Sequence, residues 1–66
     1  MKNNLRVERA ILEISQEELS RRIGVSRQTI HSIETGKYIP SVLLALKLAR
    51  EFGKPVENLF QLGEGE

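Results

Sequence analysis

The chain has 66 residues, a formal net charge of +1 and no cysteine, which leaves room for one small domain and none for a large enclosed active site. Disulfides and thiolate metal sites are excluded, so apolar packing or self-association must hold a fold that buries only about 60% of its unfolded surface. The start Met1-Lys2-Asn3-Asn4 lacks the apolar stretch of a signal peptide, and no run approaches the roughly 20 apolar residues of a membrane helix, so a cytoplasmic location is expected.

The small net charge hides an uneven distribution. Residues 19–38 carry Arg21, Arg22, Arg27 and Lys37 against Glu34 alone, whereas residues 57–66 carry Glu57, Glu64 and Glu66 with no base. A cationic middle suits a polyanion partner, and charge alone is equally satisfied by solvated helix faces.

Helical signals run through almost the whole chain, with no alternating strand pattern and no repeat, which gives an all-α reading. A first helix is predicted over residues 5 to about 13. Leu5 and Leu12 fall on one of its faces and Val7, Ala10, Ile11 and Ile14 on another, so one apolar face must stay outside a small core. Ser15 opens a second helix, and Glu18 three residues on completes an S-x-x-E capping box, in which each side chain accepts from a backbone N–H near the other. Leu19 and Ile23 give this helix its buried stripe, and Gly24 ends it. Ser26 is placed to cap a third helix through the N–H of Gln28 or Thr29, so two helices meet across a very short join.

On the third helix Ile30 and Ile33 set the inward direction and leave Arg27, Gln28, His31 and Ser32 on or toward the other side. Gly36 ends it, Tyr38-Ile39-Pro40 forms a connection, and Ser41 caps a fourth helix over Val42 to Phe52. There Val42, Leu44, Ala45, Leu46, Leu48, Ala49 and Phe52 share one broad apolar face, and Leu43 lands among the charged residues, where it suits a subunit contact or simple exposure. Gly53 stops this helix, and Pro55 starts a fifth with Val56, Leu59, Phe60 and Leu62 as its apolar residues. The tail 63–66 is expected to be flexible.

Two helices joined by a Gly-containing turn, the second presenting hydrogen-bonding side chains, form the unit that fits a DNA major groove. Arg reads guanine and Gln reads adenine through two-pronged contacts, and Arg27 and Gln28 stand in the first turn of the third helix, the end that such units insert. Gln16, Lys37 and the hydroxyls of Ser26 and Thr29 suit phosphate contacts, which position without specifying. Helix chemistry alone also allows Arg27 and Gln28 as ordinary surface residues. Tyr38 suits packing or a phosphate contact, and His31 a base or phosphate contact or idle exposure.

The runs "SQEELSRRIGVSRQTIHSIETGKY" and "PS", then "LALKLAREFG" and "VENLF", make residues 5–60 resemble the Cro/C1-type, or XRE-type, helix-turn-helix regulators. The resemblance implies a five-helix lambda-repressor-like domain, with the helix-turn-helix at about 16–34, and a homodimer on a two-fold symmetric operator in double-stranded DNA, for which repression by occluding a promoter is the simplest mechanism. It places Arg27, Gln28 and Ser32 at base-reading positions and Gln16 at a phosphate-binding and bracing position, and it matches Arg9 and Glu34 to a salt bridge between the first and third helices. Five positions depart from the family pattern: Ser20 for alanine, Glu13 for glycine or asparagine, Glu8 for an apolar residue, Lys54 for a polar cap, and Leu43 for a polar residue.

Catalysis finds no constellation here. The serines and the single His31 lack an enclosed pocket and a third orienting group, and the glycine-glutamate tail lacks the lysine of a phosphate loop. No metal ligand set stands at suitable spacing, so no cofactor is expected. The alternative to a regulator is a protein-interaction module or antitoxin-like partner that uses exposed apolar residues of the first and fourth helices.

Overall fold

The computed structural model describes residues 1–66. In chain order its elements are β1 (Lys2–Asn3), α1 (Leu5–Ile11), α2 (Gln16–Ile23), α3 (Arg27–Glu34), α4 (Val42–Phe52), α5 (Val56–Leu59) and β2 (Phe60–Gln61). Serine hydroxyls start the three long central helices: Ser15, Ser26 and Ser41 accept from the N–H groups of Glu18, Thr29 and Leu44 at 3.0, 3.1 and 3.1 Å. Each satisfies a backbone donor that the first turn leaves free. Only half of the expected capping box forms, because the Glu18 carboxylate turns away to Arg21 and Arg22, whose guanidinium groups offer charge-assisted bonds stronger than a neutral N–H.

The core takes Leu5 from α1, Leu19 and Ile23 from α2, Ile30 and Ile33 from α3, Leu44 and Leu48 from α4, Leu59 from α5, and Phe60. α2 packs on both α3 and α4, and α4 also on α5. Two sequence expectations change here. The fifth helix spans only four residues, and Phe60 and Gln61 leave it to pair antiparallel with Asn3 and Lys2. This two-residue pairing is too short to show a period in sequence. Asn3 extends its effect by donating from Nδ2 to the Ile33 carbonyl at 2.9 Å, tying the start of the chain to the end of α3.

The broad apolar face of α4 is the second. Leu44 and Leu48 are buried and Ala45, Ala49 and Phe52 half-buried, but Val42 and Leu46 lie open to solvent. Seven apolar residues cover more of the helix circumference than so small a partner surface can shield.

α1 ends at Ile11, two residues early, because Glu13 adopts a left-handed backbone with φ 57°. A side chain there costs roughly 1–2 kcal/mol. Glu13→Gly is therefore expected to raise stability by about 0.5–1 kcal/mol, net of glycine's greater unfolded-state freedom, measured as a higher thermal midpoint with an unchanged circular dichroism spectrum.

Two further departures answer one another. Glu8 is buried on α1 and accepts from Lys54 Nζ at 2.8 Å, across 46 positions of sequence. A lysine that caps poorly thus neutralises a carboxylate that an apolar residue would otherwise replace. Lys54→Ala is expected to cost about 1–2 kcal/mol, discounted for the lysine's partial exposure. Glu8→Leu with Lys54→Ser is expected to restore the loss, since well-packed apolar groups can replace a buried pair without penalty. Urea unfolding of the single and double variants checks both statements.

Ser20, another departure, is buried and donates within its own turn to the Glu17 carbonyl at 2.7 Å, and Leu43, the last, is exposed.

Candidate nucleic-acid interface

The turn between α2 and α3 is built by local chemistry. Gly24 takes the left-handed conformation, φ 86°, and the N–H groups of Gly24 and Val25 both return to the Ser20 carbonyl at 2.8 and 3.0 Å. Ser26 restarts the helix at once, so three residues separate α2 from α3 and the two axes must cross steeply.

Ile30 and Ile33, essentially without solvent contact, hold α3 down. Arg27, Gln28 and His31 are exposed along its outer side, with Thr29 and Ser32 half-buried beside them. Gln28 Nε2 lies 3.5 Å from Ser32 Oγ, and the hydroxyls of Ser26 and Thr29 are 2.9 Å apart. After α3 the chain folds back over its end: the N–H groups of Lys37 and Tyr38 both donate to the Ser32 carbonyl, at 2.9 and 3.2 Å. Tyr38 thereby lines a shallow depression with Gln28, Thr29 and Ser32. Gln16, Ser15, Glu17, Arg9 and Arg27 line a second, polar one where the start of α2 meets the start of α3.

Beneath this surface lies a charged junction. The Glu34 side chain has no solvent exposure, and Arg9 grips it with two bonds, Nε to Oε2 at 2.8 Å and Nη2 to Oε1 at 3.2 Å. Gln16 Nε2 donates to Oε1 at 3.0 Å, and Arg9 Nη1 donates to the Ile14 carbonyl at 3.0 Å. One carboxylate thus joins α1, the α1–α2 turn, α2 and α3. Burial pushes the Glu34 carboxyl up, but the hydrogen bonds from Arg9 and Gln16 and the nearby Arg9 and Arg6 charges outweigh it and hold it below the ordinary range. The Arg9 guanidinium is raised in turn, chiefly by its hydrogen bonds to Glu34. Gln16 Nε2 also lies 3.4 Å from His31 Nδ1, which brings the junction to the edge of the exposed row.

Ion pairing sorts the cationic middle of the chain. Arg21 and Arg22 are both held by Glu18, and Arg22 also by Glu51 at 3.2 Å. Those contacts hold the Glu18 carboxyl low, the hydrogen bond from Arg22 being the largest cause. Arg27 and Lys37 pair with no carboxylate. The Glu18 pairs follow local helical spacing, whereas Glu51 approaches Arg22 only through the packing of α4 on α2.

The helix-turn-helix family model matches residues 5–59. The chain is 52% identical over 60 residues to an uncharacterized HTH-type transcriptional regulator of Methanocaldococcus jannaschii, a match covering 91% of each chain. It is 47% identical over 64 residues to the uncharacterized HTH-type transcriptional regulator YgzD of Bacillus subtilis, covering 97% of each. A similar regulator from Archaeoglobus fulgidus is 44% identical over 66 residues, covering 100% of this chain and 93% of the relative. The chain belongs to the helix-turn-helix family, of the Cro/C1 or XRE type.

Proposed function

We propose that this protein is a sequence-specific DNA-binding transcriptional regulator that inserts α3 into the major groove. The observation that carries the reading is the pairing pattern: Arg27 and Gln28, the two side chains suited to bidentate base contacts, stand exposed and uncommitted to any carboxylate at the first turn of a helix braced from below by Arg9, Gln16 and Glu34. Ser32 and His31 complete the base-reading side. Gln16, Ser26, Thr29, Lys37 and Tyr38 contact phosphates and set the register. The chain acts as a homodimer on a two-fold symmetric operator, its two α3 helices about 34 Å apart, and represses by occluding a promoter. Names of the relatives agree with regulation of transcription.

Selection of bound duplexes from a random pool by the purified chain tests this reading. A palindromic motif, with affinity that falls steeply with salt, is the expected result. No enriched motif and no salt-dependent affinity would favour a second reading, a protein-interaction module. That alternative draws on Val7 and Ile11, exposed one turn apart on α1.

A further inference from the structure

We infer that Gln16 commits both hydrogens of its side-chain amide inside the protein, and that the second of them fixes His31 as a hydrogen-bond donor toward DNA. The Gln16 side chain then positions His31 and touches no phosphate itself. The inference rests on the DNA-binding reading above and assigns a task within it.

The buried end of the amide sets its orientation. The Glu34 side chain has no solvent exposure, and a carboxylate oxygen accepts and cannot donate. Nitrogen, and not the carbonyl oxygen, must therefore face it, as Gln16 Nε2 does at 3.0 Å from Glu34 Oε1. An amide nitrogen carries two hydrogens, and with one directed to Glu34 the other is left for His31 Nδ1 at 3.4 Å. What remains of the Gln16 side chain is its carbonyl oxygen, an acceptor that a phosphate oxygen repels. A phosphate contact from Gln16 falls instead to its backbone N–H, which heads α2 and for which no protein group is an acceptor.

The consequence reaches the exposed row through one ring. A ring nitrogen that accepts carries no hydrogen, so neutral His31 holds its hydrogen on Nε2. The opposite tautomer would set two N–H groups against each other. His31 is exposed, and it stands one turn beyond Arg27 on the same side of α3. Its Nε2–H therefore offers the duplex a donor of fixed polarity. Guanine O6 and N7, thymine O4, adenine N7 and phosphate oxygens can accept from it, whereas the amino groups of cytosine and adenine find no acceptor there. A carboxylate buried beneath α3 thus decides, through one amide, what a side chain on the reading face can recognise.

Nitrogen NMR of the free chain gives the first arm of the test, and the single histidine makes its signals unambiguous. At about pH 9, where imidazole is neutral, long-range proton–nitrogen correlation of the wild type is expected to place the hydrogen on Nε2 alone. Gln16→Ala is expected to show exchange between the two tautomers. Identical tautomer populations in the two proteins overturn the inference. Gln16→Met, which keeps the length without the amide, serves as a second variant, and thermal unfolding confirms that each folds.

Titration of the selected operator gives the second arm. His31→Ala is expected to weaken binding about 3- to 10-fold, the loss of one hydrogen bond, and Gln16→Ala about 2- to 5-fold by releasing the ring. In a His31→Ala background, Gln16→Ala is expected to cost less than about 1.5-fold, because nothing remains for it to position. A Gln16→Ala loss of the same size in both backgrounds marks a direct contact from the Gln16 side chain and overturns the inference. Single-base operator substitutions locate the acceptor: a His31→Ala penalty that vanishes at one base pair places it on a base edge, and one equal on every duplex places it on a phosphate. No penalty on any duplex overturns the inference. Failure of the DNA reading is separate and shows as no wild-type binding to any duplex, in which case the nitrogen spectrum alone decides the hold of Gln16 on His31.

Discussion

Arg9→Met is expected to lower the free energy of unfolding by about 3–5 kcal/mol at pH 7, because it leaves the Glu34 carboxylate buried without its counter-charge. The Glu34 side chain has no solvent exposure and that of Arg9 only 17%, so water can replace little of the lost interaction. For so small a domain this is as large as the whole stability, about 3–5 kcal/mol, and the variant should be mostly unfolded at 25 °C. Arg6→Met is the control. Its guanidinium lies 3.9 Å from the same carboxylate but is 71% exposed, and its loss should cost less than about 0.5 kcal/mol. Urea titrations followed by circular dichroism, with an osmolyte added for the Arg9 variant, measure both.

Acid should separate lost charge pairing from lost packing. In the wild type the folded-state pKa of Glu34 lies below its unfolded value of about 4.3. Its contribution is therefore complete above about pH 4.3 and is lost as pH falls through the lower folded value. Without the Arg9 guanidinium, burial, the largest single influence on Glu34, is opposed only by the Gln16 hydrogen bond and the more distant Arg6 charge, and the folded carboxyl is expected to hold its proton more readily than the unfolded one. The Arg9→Met variant should then gain stability as pH falls from 7 toward about 5, while the wild type changes little there. A deficit constant across that interval would identify the loss as one of packing.

What could be read from sequence divides by distance along the chain. Ser15, Ser26 and Ser41 mark three helix starts because a cap acts over three residues, and Gly24 and Gly53 mark ends because the left-handed cap is equally local. The buried pair Ile30 and Ile33 follows from helical spacing, and with it the exposure of Arg27, Gln28 and His31. Contacts between distant elements left no such trace. The Glu8–Lys54 pair joins two positions that each look unfavourable alone, and the hydrogen bond from Asn3 to Ile33 depends on a strand pairing too short to detect. Arg9 and Glu34 were legible only through family resemblance, since nothing in their spacing aligns a residue of α1 with one of α3. The exposure of Val42 and Leu46 was hidden for another reason. Periodicity gives the direction of an apolar face but not how much of that face the rest of a 66-residue chain can cover.

Gln28→Ala and Lys37→Ala should weaken DNA binding in different ways. Both side chains are exposed and outside the core, so neither change should alter folding. A glutamine that makes two bonds to one adenine discriminates among bases, so Gln28→Ala is expected to cost about 1–3 kcal/mol on the selected operator and to relax preference at one base pair per half-site. Its affinity for unrelated DNA should hardly change. Lys37 has no carboxylate partner and sits where the chain folds back over the end of α3. Its ammonium is suited to a phosphate, which every sequence presents. Lys37→Ala should therefore weaken all duplexes alike and reduce the slope of log affinity against log salt by about 1 per chain. Titrations of both variants against a panel of single-base operator substitutions, each at several salt concentrations, resolve the two effects. Uniform loss for Gln28→Ala would move that residue to the positioning set and leave Arg27 and Ser32 to account for specificity.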